Sequence, residues 1–540
     1  METRKIGMKS ARKTALLACL LGALLTACAV GNRQDPSDPV PLSRGEWAWI
    51  SGPNSADQDG IYGTQGVPSP SNVPGVRRRA TSWLDRQGKL WLFGGSGLAS
   101  AGSPGAYAGG ELNDLWTFDP SSLEWTWISG SASFYQAGVY GIKGVPGPSN
   151  VPGARFGAAS WVDPSGRLWL FGGRNFDAYD HYPPIYFGSF NDLWMFDPAT
   201  LQWTWISGSD IKDQWGVYGT KGVAAPTNVP GARCLAASWV DPSGRLWLFG
   251  GDGMDSAGNP IPLNDLWRFD PESQEWTWIA GCRSNARTFG VYGTKGTPAP
   301  TNIPGGRVSS ASWLDPQGNF WLFGGSGFDG SGHAGLLNDL WKFDPQRLAW
   351  TWVSGSDSID PQGVYGTRGL SAPANEPSGR EAAASWVDPS GGLWIYGGHG
   401  YDTAVMTNEL YDDLWKYDPM ANAWTWIGGS DLPGQYGVYG TQGVSSEKNS
   451  PGQREGAVSW FDPSGKFWLF GGHAYGEGLF SDLWRYTREG AANSAAARCD
   501  IVRHSVTRRG VVLTRAVLPP NLTPGAGSPS RTETWRRRST

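Results

Sequence analysis

Cysteine is scarce in this sequence, with five in 540 residues. Cys19 falls in the N-terminal leader and Cys28 directly follows it, which leaves Cys234, Cys282 and Cys499, too few for a disulfide framework. No segment is long and apolar enough to cross a bilayer as a helix, which takes about 20 residues. Sustained helical periodicity is missing. So are G-x-S-x-G, H-E-x-x-H, the phosphate-binding P-loop and paired-cysteine motifs, which removes the commonest catalytic and metal signatures. Positive charge is also short. Residues 28–490 hold 30 Lys and Arg against 45 Asp and Glu. Nucleic-acid phosphates reward the opposite sign, so the body is not expected to bind nucleic acid.

The first 27 residues read as an address rather than fold. A basic segment, "METRKIGMKSARK", precedes the short apolar run "TALLACLLGALL", the pattern of a secretory signal. The segment ends "LTAC", which resembles the lipobox of bacterial lipoproteins. That resemblance implies lipid attachment at Cys28 and a place in the cell envelope, at the outer membrane or cell surface. The alternative is a plain secretory signal cut near the same small residues. Residues 28–45 are rich in Pro and polar residues and read as a tether.

What the sequence has in quantity is Gly (78), Pro (39) and Trp (32). Gly and Pro at this level point to many turns. The phrase W-x-W recurs with its first Trp at 47, 125, 203, 276, 350 and 424, and self-similarity at a fixed long period means a repeat architecture. Each repeat holds four short runs of β-branched and aromatic residues. In the third copy these are "CLAASWVD", "RLWLFGG", "NDLWRFD" and "EWTWIAG", bounded by turn signals such as "DPSG". Four antiparallel strands per repeat make one propeller blade.

A double Gly closes strand two in every copy, from Gly94–Gly95 to Gly471–Gly472, and a Trp marks strand four. An Arg stands six residues before each strand-one Trp: Arg77, Arg155, Arg233, Arg307, Arg380 and Arg454. This signature resembles the kelch repeat and the central domain of galactose oxidase. The resemblance implies an all-β, six-bladed propeller over residues 46–490, with the repeated Arg acting as a blade-to-blade strut. The modules for strands one to three occur six times, but no W-x-W follows the last. The orphan phrase "EWAWISG" at 46–52 is therefore expected to supply the missing strand and close the ring. A lattice of five Trp per blade accounts for all but Trp215 and Trp535 and is expected to fill the space between blades.

In such a blade the tight one-to-two and three-to-four turns share one face. The two-to-three loops and the interblade links share the other. The links share "G-[VI]-Y-G" and "P-G-x-R" phrases and read as a built collar; the loops vary and are the first place to look for function. The loop "RNFDAYDHYPPIYFGSF" (174–190), with Phe176, Tyr179, His181 and Tyr182, is a candidate contact surface or a loop folded on its own aromatic cluster. In the links, Trp215, Phe289 and Tyr436 occupy a position held elsewhere by Asp59, Ala137 and Gln362. They form a candidate platform for sugar rings, with local packing of the collar as the other reading.

Blades five and six place His399 and His473 directly after the double Gly, with Tyr401 and Tyr475 two residues on. Imidazoles suit copper, zinc and iron. The resemblance to galactose-oxidase-type enzymes implies a copper site here, although Tyr401 and Tyr475 align with Phe176, Met254 and Phe328, an apolar packing position. Glu381 and Glu455 follow the strut Arg of the same blades. Either would serve as a general base if burial tuned its pKa, as the resemblance to sialic-acid-acting kelch proteins would require. The last 50 residues are basic, with nine Arg against two acids, and read as a disordered tail.

The expectation is a monomeric, lipid-anchored binding module without a cofactor. Its partner is a glycan or an envelope or extracellular protein, met on the long-loop face. The alternative is a carbohydrate-active enzyme with copper or acid-sugar chemistry. A propeller by itself decides neither.

Overall fold

The computed structural model describes residues 45–101, 109–176, 187–284, 288–402 and 407–488. Alternating aromatic and β-branched residues form short antiparallel strands, and Asp-capped turns end them. In the third copy Asp241 accepts from the backbone N–H of Ser243 and Arg245, while its second carboxylate oxygen takes the Trp247 indole N–H at 2.9 Å.

Blade three runs Ala237–Val240, Leu246–Met254, Pro260–Asp270 and Glu275–Ala280, each strand pairing with the next. The other blades repeat this order. The strand-one elements touch their neighbours in a closed circle, from Thr81–Leu84 through Ala159–Val162, Ala237–Val240, Ala311–Leu314 and Ala384–Val387 to Val458–Phe461 and back. The propeller therefore has six blades, with strand one innermost.

Blade six consists of Val458–Phe461, Phe467–Ala474, Gly478–Arg488 and, outermost, Gly45–Ser51. The orphan phrase closes the ring as its position in the sequence implies, with Trp47 opposite Tyr486 and Trp49 opposite Trp484. The collar is also present. Each link runs along the outer edge of strand four: Gly222 donates to the Trp278 carbonyl, and Gly443 donates to that of Trp49 in the closing strand. Asn228 and Asn449 each give Nδ2 to the outer strand, at the carbonyls of Trp276 and Trp47. An unpaired strand edge invites association with another chain, and the links occupy all six.

Six hydrophobic clusters fill the six blade interfaces. Between blades three and four, Trp239 and Phe249 meet Phe320, Phe343 and Trp350; at the closure, Trp460 and Phe470 meet Phe118 and Trp125. Each Trp ring removes roughly 150–250 Å² from water, so these interfaces are the core.

Two further devices hold the blades in register at the axis. Arg79, Gly157, Leu235, Ser309, Ala382 and Gly456 form a closed ring of six backbone hydrogen bonds, each N–H donating to the carbonyl of the preceding blade. All six have φ between 54° and 64°, a region that costs about 1–2 kcal/mol for a non-glycine residue. The double glycine also acts between blades. Gly173 donates to the Arg233 carbonyl at 2.8 Å, and a Cβ on Gly172 would come within 2.5 Å of that oxygen. No larger residue fits there.

The repeated Arg departs from the strut expected of it. Its side chain stays within its own blade: Arg233 donates to the Gly231 and Gly250 carbonyls and grips Asp265 with both terminal nitrogens at 2.6 and 2.9 Å. Its backbone makes the contacts with the neighbouring blade, the N–H donating to the Phe190 carbonyl and the carbonyl accepting from Gly173. The same Asp accepts from the Tyr218 hydroxyl and the Trp267 indole. Burial raises the Tyr218 phenol, keeping it a donor. All six blades repeat the arrangement, so the six arginines are consumed by structure.

Candidate functional site

Around the axis on the long-loop face, the residue after each strut Arg bridges to the residue after each double Gly. The six bridged pairs are Arg78–Ser96, Phe156–Arg174, Cys234–Asp252, Val308–Ser326, Glu381–His399 and Glu455–His473. The strut Arg and the double Gly beside these positions repeat in every blade, whereas the pairs differ from blade to blade. Below them the channel is lined by small residues such as Ala80, Ala158 and Ala236, with a volume of about 220 Å³.

The charges at this mouth are largely matched. Arg78 and Arg79 of blade one reach Glu455 of blade six at 2.6 and 3.0 Å, and Arg174 of blade two reaches Asp252 of blade three at 2.8 Å. Burial would raise the Glu455 carboxyl, but His473 and the two guanidinium groups hold it well below the usual carboxylate range. This runs opposite to the tuning a general base needs. Burial pushes the Cys234 thiol up to about 12, so it is not a nucleophile at neutral pH. Cys234 and Cys282 are not joined to each other by a disulfide.

His399 and His473 come together around one residue. The Tyr475 ring stands edge-on to both imidazoles, with centroids 5.9 and 5.5 Å away, and is partly exposed rather than packed in an apolar site. Tyr401 lies opposite Asn408 in its own hairpin. Each imidazole Nδ1 faces a carboxylate of its own blade, Glu381 at 3.3 Å and Glu455 at 3.6 Å. Glu455 is already engaged by two arginines. Among the described residues no three His, Cys, Asp or Glu side chains are grouped to hold a metal. These residues do not fit a copper centre.

The link aromatics sit farther out. Trp215 is 59% exposed and packs against the left-handed turn glycine Gly258 of its own blade; Phe289, 45% exposed, packs against Gly332 in the next. A Cβ on Gly258 would lie 2.4 Å from the indole. Both hairpins carry the same cap, with Asp255 and Asp329 accepting backbone N–H groups from the turn. Two rings are thus held alike on adjoining blades, each partly open to solvent. Tyr436, 65% exposed, is two blades away from Phe289. In the 174–190 loop, Arg174–Phe176 pairs with Phe187–Ser189; Tyr179, His181 and Tyr182 lie outside the described residues, as does Cys28.

Sequence reasoning missed the Asp of the Arg grip, the Tyr that joins it and the left-handed axial ring. The Asp and Tyr had signals, because an Asp precedes every strand-three Trp by two residues and the Tyr is the "Y" of "G-[VI]-Y-G".

A family model described as the KLHDC2/KLHL20/DRC7 Kelch-repeats domain matches residues 138–367 and 220–435, together more than half of the chain. The solved structure of YjhT is similar at 15% identity with a TM-score of 0.44, covering 78% of this chain and 95% of that one.

Proposed function

This chain belongs to the kelch-repeat family, and from that premise we propose that it is an exported binding module, monomeric and held in the cell envelope by lipid on Cys28, that takes a glycan on its long-loop face. The observation that carries the glycan is the pair Trp215 and Phe289. Each is seated on a turn glycine, at one position of adjoining blades, with a large part of the ring left in solvent. Large aromatic rings are ordinarily buried in a protein that has no use for them outside. The mouth supports binding over catalysis, because its acids are paired and Glu455 is held ionised.

The test compares wild type with Trp215→Ala/Phe289→Ala for binding to purified envelope polysaccharides. A tenfold or greater loss of affinity at an unchanged melting midpoint is expected. Equal binding by both proteins would remove the platform, and binding confined to a protein from the same envelope would replace the glycan with that partner. Copper loading and dialysis test the enzyme reading. One copper per chain, lost in His399→Ala/His473→Ala, would establish it in place of the binding module.

A further inference from the structure

The face opposite the mouth carries an oddity. At the left-handed position of the three-to-four turns stand Leu123 (φ 61°), Leu201 (φ 56°) and Leu348 (φ 52°), where blades three and five have Gln274 and Asn422. Leucine is a poor choice twice over. The conformation favours Gly or Asn, and the side chains are 40, 49 and 47% exposed. In blade five the same turn carries Met420, 95% exposed. Four of the five three-to-four turns therefore hold out a large apolar side chain.

The sixth place, where blade six has no such turn, is where the chain enters and leaves. Gly45 pairs with Arg488 at this same end of the blade. The tether that would start at Cys28 arrives here. It is 18 residues long, with a mean reach of roughly 25 Å if flexible. The chain also departs here into a segment with nine Arg and two acids, a charge suited to anionic lipid headgroups. The exposed aliphatic residues Val217, Val291 and Val438 belong to the interblade links rather than to this face.

We propose that the short-turn face is a membrane-docking surface. Leu123, Leu201, Leu348 and Met420 enter the interface of an anionic bilayer, and the long-loop face is turned away from it. This rests on the lipid-anchor reading above. It places the glycan-binding rings on the side open to the surroundings.

The test reads the two methionines on opposite faces, Met420 and the partly buried Met254. Full-length protein extracted from membranes is reconstituted in phosphatidylethanolamine–phosphatidylglycerol vesicles and exposed to hydrogen peroxide. Sulfoxide formation follows exposure and is measured by mass. The Cys28→Ser chain without vesicles is the reference. Met420 is expected to oxidise at least fivefold more slowly in vesicles, with Met254 unchanged. Leu123→Asn/Leu201→Asn/Leu348→Asn, whose new side chains suit the turn, should fold and lose that protection. Equal Met420 rates with and without vesicles, in protein whose intact mass shows the lipid, would overturn the docking face. An intact mass without lipid would overturn the anchor alone. In that case a chain that neither floats with the vesicles nor protects Met420 overturns the face as well.

Discussion

The Arg79 guanidinium in the first blade donates to the Glu455 carboxylate in the last at 3.0 Å, across the interface where the ring closes. Arg78 reaches the same carboxylate at 2.6 Å. The Glu455 side chain is nearly buried, whereas Arg78 is about one-third exposed, so the cluster lies between a surface pair and a buried one.

Glu455→Gln is expected to cost about 2 kcal/mol at neutral pH. The sign with pH follows from the depressed carboxyl. Its contribution is present above the unfolded value of about 4.3 and is lost as pH falls through the lower folded value. Melting midpoints of wild type and variant should converge below about pH 4. A difference that stays constant far below that pH would refute the pairing as its source.

The grip of Arg233 on Asp265 is worth more, because neither side chain is accessible. Asp265→Asn leaves a guanidinium buried beside a neutral amide, and Tyr218 and Trp267 lose a charged acceptor. A loss of about 3–5 kcal/mol is expected, read as a lower denaturant midpoint. A loss under about 1 kcal/mol, the scale of an exposed pair, would mean that the other five copies carry the load.

Much of this was legible in the sequence, and for a physical reason. Repetition separates roles: whatever all six copies share is structure, and the tally of Trp at W-x-W and its partners gave blade number and closure before any coordinate. The collar was legible from uniform link length. The Arg–Asp grip was only half legible, since Asp265 and Arg233 lie 32 residues apart and only the fold brings them together. The meeting of Tyr475 with both His399 and His473 could not be read at all. It depends on how two adjoining blades splay at the mouth, which no spacing within one repeat records.

Closure by the first strand makes the start of the fold essential to its end. Deleting residues 45–51 would leave the outer edge of Gly478–Arg488 unpaired and remove Trp47, which packs on Tyr396, Trp484 and Tyr486. An open strand edge next to an emptied aromatic site favours association. The truncated chain is expected to aggregate in size-exclusion runs where the intact chain does not. A synthetic peptide of residues 45–51 should partly restore the monomer. A monomeric truncated chain with an unchanged melting midpoint would show that the collar, not the strand, closes the ring.

Asp412 offers the converse pH dependence. Four blades have Asn at its position, and Asn191 accepts from the Ser209 N–H while donating to the Pro230 carbonyl. Asp412 keeps the first contact, with Ser430, but has only the Ser450 hydroxyl, at 3.3 Å, for its other oxygen. Burial, aided by the neighbouring Asp413 charge, pushes its carboxyl up to about 6. The folded protein therefore holds this proton more tightly than the unfolded chain, whose Asp titrates near 3.9. The group is least costly below pH 4, and stability falls as pH rises from about 4 to about 6, by about 3 kcal/mol in all. Asp412→Asn restores the donor of the other blades and has no charge to bury. It is expected to melt higher than wild type at pH 7.5 and equally at pH 4, the opposite of the pattern at Glu455. A variant no more stable than wild type at pH 7.5 would mean that Asp412 is hydrated in solution, through the cleft it lines with Lys448 and Ser450 beside the closing strand.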